Sequence, residues 1–349
     1  MNLYKSETYI NDLDRTLRAV VNLQEIQGKE VLVTGATGTI GSFLVDVLMC
    51  FNAVDNAGIT IYAAGRSIDR LSKRFDFIKN DMLRYIAYDV RKPVSFDFSV
   101  DYMIHAAGNA YPAAFNGDPV GTIMGNVSGT YALLEFGRMH GARRLLYVSS
   151  GEVYGQGDLS LEEYDEEYAG YLDSMSPRSC YPLSKRVTET LCASYSRQYG
   201  METVIVRPCH TYGPGITEGD NRANVQFIRN VLDGKDIILK SAGTQMRSYC
   251  YIADCVSAVL TVLLNGENGE AYNSANPDAR VTIAEFAQAA AEIAGKKVIF
   301  ENPSAEELAD QTPIAKQVLS SKKVEKLGWK GCFSLYEGVA HTIAALRGE

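Results

Sequence analysis

The sequence predicts an α/β protein with a doubly wound parallel sheet and a smaller C-terminal α/β lobe, on three observations. A short apolar strand, Val31-Leu32-Val33, runs directly into Thr34-Gly35-Ala36-Thr37-Gly38-Thr39-Ile40-Gly41. Strand and helix signals then alternate as far as residue 207, the pattern of strands joined by helical crossovers. Beyond Gly213-Pro214-Gly215 the texture changes to a polar loop, Glu218-Gly219-Asp220-Asn221-Arg222, followed by short elements.

The elements follow in order. Residues 6–27 read as a helix, because Ile10, Leu13, Leu17, Val20, Val21 and Leu23 fall near helical spacing. Strands are expected at 31–34, 59–64, 84–88, 101–106, 143–149 and 202–207, and helices near 39–52, 118–139 and 181–199. Prolines at 177, 182, 208 and 214 mark loops leaving the carboxyl ends of strands, the ligand side of such a sheet. The expected organisation is an N-terminal helical extension over 1–28 and a Rossmann-type dinucleotide domain over 29–212. Residues of about 250–275 return to that domain, and the rest of 213–349 forms a substrate-binding lobe.

The glycine run has the chemistry of a phosphate cradle. Gly35 permits the tight turn, Gly38 lets the backbone approach a pyrophosphate, and Gly41 allows close helix–strand packing. The helix N-terminus offers its unpaired N–H groups to the phosphates. Farther on, Ser150 ends an apolar strand and Tyr181-Pro-Leu-Ser-Lys185 opens a helix. A tyrosine hydroxyl titrates near ~10, so it needs help to act as a base at neutral pH. An ammonium one turn away and a positive nicotinamide ring would give that help, while Ser150 bonds the same substrate oxygen. Together these parts point to carbinol redox chemistry on a nicotinamide.

With these motifs the chain resembles the extended short-chain dehydrogenase/reductases that modify nucleotide-activated sugars, over about residues 29 to 330. Further matching segments are His105-Ala106-Ala107-Gly108, Tyr147 to Gly155, Arg207 to Pro214, Arg247 to Asp254 and Leu327-Gly328-Trp329. The resemblance implies a catalytic set of Ser150, Glu152, Tyr181 and Lys185. It implies coenzyme contacts at Gly35, Gly38, Thr39, Ile40, Gly41, Arg66, Asp89, Val90, Ala106, Ala107, Asn126, Pro208, Tyr181 and Lys185. Substrate contacts are implied at Gly108, His210, Arg222 and Arg247. The end of the second strand, Ala64-Gly65-Arg66-Ser67, carries no acid, so the residues there lean to NADP, while the resemblance leans to NAD. NAD is the expected coenzyme, with NADP left open.

The reaction is read from fewer residues. Thymidine-diphosphoglucose dehydratases carry Asp-Glu where this chain has Gly151-Glu152, guanosine-diphosphomannose dehydratases carry Ser-Glu, and 4-epimerases lack the Glu. The stretch Ser176 to Cys192, with Pro177-Arg178-Ser179-Cys180-Tyr181 and Lys185-Arg186-Val187-Thr188-Glu189, is most similar to UDP-glucuronate decarboxylases. His210, Gly108-Asn109 and Phe115 depart from that pattern, which has Asn, Ser-Pro and Tyr there. Decarboxylation through a 4-ketone is the expected reaction, with dehydration and epimerisation as alternatives. An NADP-dependent reductase and a non-catalytic dinucleotide sensor are the readings from other classes.

Bulk properties bound the partners. A net charge of −8 argues against nucleic acid. Seven cysteines without metal-ligand spacing read as reduced thiols and imply no metal site. No signal peptide and no membrane span is expected, which suggests a cytoplasmic protein. Ile123, Val127, Tyr131 and Leu134 make an apolar stripe at helical spacing. The resemblance implies a homodimer built on that helix and the one after it. Glu162 to Glu167 reads as a solvated acidic loop, and His140 and His341 as surface histidines.

Overall fold

The computed structural model describes residues 2–78, 80–303 and 314–349. Its centre is a parallel sheet whose first strands are β1 (Glu30–Thr34), β2 (Thr60–Gly65), β3 (Leu83–Ala87), β4 (Tyr102–His105), β5 (Arg144–Val148) and β6 (Glu202–Pro208). β7 (His210–Tyr212), β8 (Ile237–Leu239) and β9 (Met246–Tyr251) lie outside it, and β10 (Ala271–Ser274) returns to pair with β6. The order across the sheet is β3-β2-β1-β4-β5-β6-β10. The winding therefore reverses between β1 and β4, and a crevice for ligand opens beyond their carboxyl ends.

The strands sit where the apolar runs predict them because both faces of the sheet are covered. β1 is buried from Val31 to Thr34, and β4 and β5 are nearly all buried. α1 (Glu7–Ala19) and α2 (Thr39–Asp55) pack on one side with α8 (Ile252–Asn265). α5 (Pro119–His140) and α6 (Cys180–Tyr199) cover the other side. α5 starts on an Asp118 side-chain cap and ends at Gly141, which is left-handed at φ +71°.

The C-terminal half is built on β9, flanked by β7, a short strand Arg280–Thr282 and Lys316–Gln317. α7 (Ala223–Leu232), the helix Ile283–Ile293 and the C-terminal helix Leu335–Arg347 pack around it. A second, two-stranded pair joins β8 to Val298–Phe300.

Three expectations change. The N-terminal helix does not run to residue 27. It stops at Ala19, Asn22 turns left-handed at φ 59°, and Leu23–Ile26 forms a separate 3-10 turn. The break lets Leu23 and Ile26 reach the core. Second, the 162–167 segment is not simply solvated. Glu163 pairs with Arg280 and Lys322, and the Glu166 carboxylate accepts the Asn273 N–H at 2.7 Å. Third, His341 is half-buried, and its Nδ1 lies 2.8 Å from buried Asp12. That bond raises its pKa.

Candidate functional site

A cleft of about 990 Å³ opens along the carboxyl ends of the sheet. One wall is the turn from β1 into α2. Gly35 holds φ +70°, and a Cβ there would stand 2.7 Å from the Ala106 backbone. At Gly41 a Cβ would come within 2.2 Å of the Gly35 carbonyl oxygen. Only glycine fits either position, so the turn reaches the cleft as bare backbone. Thr39 donates its hydroxyl to the Gly215 carbonyl at 2.8 Å, tying this turn to the C-terminal half.

The proposed proton-transfer group stands opposite. Tyr181, Lys185 and Glu189 lie one turn apart on the buried face of α6, so a single helix aligns them. Lys185 Nζ donates to the Val148 carbonyl at 2.8 Å and lies 4.5 Å from the Tyr147 ring centre. Burial lowers its pKa to about 7 against the opposing charge of Glu189. Tyr181 is pushed up to about 12, first by burial and then by the charge of Glu152. The hydrogen bond with Ser150 and the charges of Arg222 and Arg178 act in the other direction. Lys185 Nζ also lies 5.7 Å from the centre of the Tyr181 ring.

Glu152 leaves β5 on the 3-10 turn Gly151–Tyr154, whose N-cap Ser150 accepts the Glu152 N–H at 3.1 Å. Its carboxylate is gripped by both terminal nitrogens of Arg178, at 3.2 and 3.4 Å. Arg178 lies 4.4 Å over the Phe115 ring, and Phe115 stacks on Tyr181 with centres 5.1 Å apart. A carboxylate, a guanidinium and two rings thus form one layered group against the phenol. The Arg178–Glu152 contact joins residues 26 positions apart and has no signal in sequence spacing.

The remaining expected residues divide by place. Gly35, Gly38, Thr39, Ile40, Gly41, Arg66, Asp89, Val90, Ala106, Ala107, Gly108, Asn126, Ser150, Tyr181, Lys185, Pro208 and Arg222 all line the cleft. Asn126 donates to Ser184 at 2.9 Å, which fixes it beside α6. Glu152, His210 and Arg247 are not among the lining residues. Arg247 is 3% exposed and donates to the carbonyls of Met246 (2.9 Å) and Ile314 (2.6 Å). His210 is packed at 5.6 Å from the Tyr249 ring, and burial lowers its pKa to about 3. Arg222 is bound to Asp220 at 2.6 Å.

A second buried network supports the floor. Ser149 donates to Glu189, and Glu189 pairs with Arg207 at 2.7 Å. Arg207 also donates to Tyr154 Oη at 3.0 Å, and Tyr154 donates to Asn273 on β10 at 2.6 Å. Beneath the cleft, His105 Nδ1 lies 2.7 Å from Thr34 Oγ1, and burial lowers its pKa to about 3, so it stays neutral.

An extended cleft at the switch point, a bare-backbone turn at a helix N-terminus and a Ser/Tyr/Lys group together fit a nicotinamide dinucleotide and an alcohol substrate. Residues 31–275 match the model of the NAD-dependent epimerase/dehydratase family, and the chain belongs to that family. It is 36% identical over 309 residues to UDP-glucuronic acid decarboxylase 6 of Arabidopsis thaliana, covering 88% of this chain and 86% of that one. UDP-glucuronic acid decarboxylase 1 of Xenopus tropicalis is 31% identical over 332 residues, 94% of this chain and 74% of that one. Among solved structures, a dTDP-glucose 4,6-dehydratase from Streptomyces venezuelae with NAD bound superposes with a TM-score of 0.75 at 24% identity. That match covers 91% of this chain and 97% of the other. A UDP-glucose 4-epimerase from Thermotoga maritima also gives 0.75, at 22% identity over 91% and 98%. Both share the fold. No helix among the described residues is long and apolar enough to cross a membrane.

Proposed function

We propose that this chain decarboxylates a nucleotide-linked hexuronic acid, UDP-glucuronate in the first instance, through a 4-keto intermediate. The observation that carries the reading is the layered Glu152–Arg178–Phe115–Tyr181 group beside Ser150, with glycine at 151. A Cβ at 151 would stand 3.0 Å from Leu319 and 3.3 Å from the Pro208 carbonyl oxygen. An aspartate proton donor for a departing C6 water therefore has little room there. Similarity to UDP-glucuronic acid decarboxylases over most of both chains points the same way.

Each residue has a task in this reading. The bound oxidised dinucleotide, NAD in this family, supplies an electron-pair acceptor and a positive charge. Tyr181 takes the proton from the sugar 4-hydroxyl, and Ser150 holds that oxygen. In the resulting 4-ketone the C6 carboxylate is β to the carbonyl. The C5–C6 bond breaks, carbon dioxide leaves, and the electron pair passes to the enolate oxygen, which Ser150 and Tyr181 stabilise. A solvent proton reaches C5 by way of the Glu152 carboxylate, which takes it up and hands it on, and Tyr181 returns its own proton when C4 is reduced. Arg178 holds the Glu152 carboxylate in place. Arg222, released from Asp220, is the candidate for the diphosphate. His210 and Arg247 act behind the sugar pocket and support its wall.

We also infer a homodimer. On α5 the side chains of Val120, Ile123, Met124 and Tyr131 are exposed, as is Val187 on α6. Leu134 is buried, so the stripe is shifted from the one read in the sequence. Light scattering at micromolar concentration should give twice the chain mass. The free state of all seven cysteines suits a reducing, cytoplasmic setting. The reading is tested by incubating the protein with UDP-glucuronate and looking for UDP-pentose and carbon dioxide. Loss of water from a UDP-hexose would favour the dehydratase alternative.

A further inference from the structure

Arg66, Arg70 and Arg74 line the cleft at intervals of four residues. Arg66 ends the turn after β2, Ser67 caps the helix α3 (Ile68–Phe75), and Arg70 and Arg74 follow within it. Arg70 and Arg74 are about one helical turn apart and share a side of α3, while Arg66 precedes its cap and meets them at the cleft wall.

Other cations around the cleft are engaged. Arg74 is held by Asp46 and donates to Tyr4 Oη at 2.7 Å. Arg91 is paired with Asp89 at 3.3 Å, Arg222 with Asp220 at 2.6 Å, and Lys185 with the Val148 carbonyl at 2.8 Å. Arg66 and Arg70 are exposed, and among the described residues their side chains have no ion-pair or hydrogen-bond partner. The strand end from Ala64 to Ser67 holds no carboxylate, the group that normally receives a ribose diol at this place. The acid beyond β3, Asp89, already accepts from the Arg91 side chain and from the Arg91 N–H at 3.1 Å.

We propose that Arg66 and Arg70 form a binding site for a phosphate on the adenosine ribose, so that the cleft accepts NADP as well as NAD and holds NADP more tightly. Two forked guanidinium groups suit a phosphate's oxygens better than a neutral diol. Position also agrees, since the first turn after β2 is where a Rossmann-type fold meets that ribose. The reaction places no opposing demand, because the coenzyme ends each turnover in its starting state. The inference rests on the reading of this cleft as a dinucleotide site.

The test is calorimetric titration of the coenzyme-stripped full chain with NADP, NAD, adenosine 2′,5′-bisphosphate and AMP. NADP should bind about tenfold or more tightly than NAD, as charge-assisted contacts of this kind allow. The bisphosphate should exceed AMP by a similar ratio, and both ratios should shrink with added salt. In the double variant Arg66→Ala, Arg70→Ala the two dinucleotides should bind within about twofold of each other. NAD binding as tightly as NADP to the unmodified chain, or a preference unchanged in the variant, would overturn the phosphate site alone. Binding of neither dinucleotide would overturn the dinucleotide reading and the phosphate site with it.

Discussion

At the glycine-turn end of the cleft, Gly35 holds a left-handed φ, and a Cβ at either Gly35 or Gly41 would strike neighbouring backbone. Around Tyr181, where the proposal puts the sugar, Glu152 is held by Arg178 and Arg222 by Asp220. In the proposed reading the first region is preformed, while the second is a set of side chains whose partners a substrate must displace. The difference separates two kinds of failure. Damage at the glycine turn should remove coenzyme and with it everything else. Damage in the sugar pocket should leave coenzyme in place and interrupt chemistry.

The largest effect expected is at the junction of the two regions. Tyr181→Phe and Lys185→Ala should each lower turnover by ~100-fold or more, the usual cost of losing a positioned base. Circular dichroism and thermal unfolding would show whether the fold survives. A variant keeping more than about a tenth of the rate would remove Tyr181 from its assigned role. On the coenzyme side, Gly35→Ala meets a left-handed φ and a 2.7 Å contact. Its coenzyme affinity should fall about 5- to 150-fold, because strain of about 1–3 kcal/mol is taken directly from the binding conformation.

On the sugar side, Glu152→Gln should bind coenzyme normally and stall after oxidation, so that a 4-keto sugar accumulates and is trapped by borohydride. An unchanged rate with a 4-epimerisation product would break the comparison, since an epimerase needs no proton at C5. Arg178→Gln should act more weakly and in the same direction. It removes the partner of Glu152 and one of the charges that lower the Tyr181 pKa, so the acid-side limb of the pH–rate profile should move to higher pH.

The smallest effect lies far from the cleft. The folded-state pKa of His341 is raised by its bond to Asp12. The proton is therefore held more tightly in the folded protein, and the stabilisation is fully present below the unfolded value of ~6.5. It fades as pH rises through the folded value. His341→Gln should lower the melting temperature by about 1–2 °C at low pH and by less at alkaline pH. An equal loss at all pH values would assign the effect to packing instead.

The two regions also differ in how far the sequence reveals them. The glycine turn, the strand ends at Ser150 and Ala106, and the Tyr181/Lys185 pair are local: each depends on neighbours in one strand, turn or helix. The parallel sheet was legible for the same reason, because most of its strands are short apolar runs followed by a helix. Break points were not. The N-terminal helix stops at Ala19, and the left-handed turn at Asn22 then brings Leu23 and Ile26 into the core. The Arg178–Glu152 pair, the Arg247 carbonyl contacts and the Glu163 and Glu166 bonds join segments far apart in the chain. No periodicity encodes them.

The most direct test of the central claim is mass spectrometry of a nucleotide-sugar panel after incubation with the purified protein, without added reductant. UDP-glucuronate should lose the mass of carbon dioxide over many turnovers while the coenzyme is not consumed. Loss of water from a neutral UDP- or dTDP-hexose, with UDP-glucuronate untouched, would contradict it.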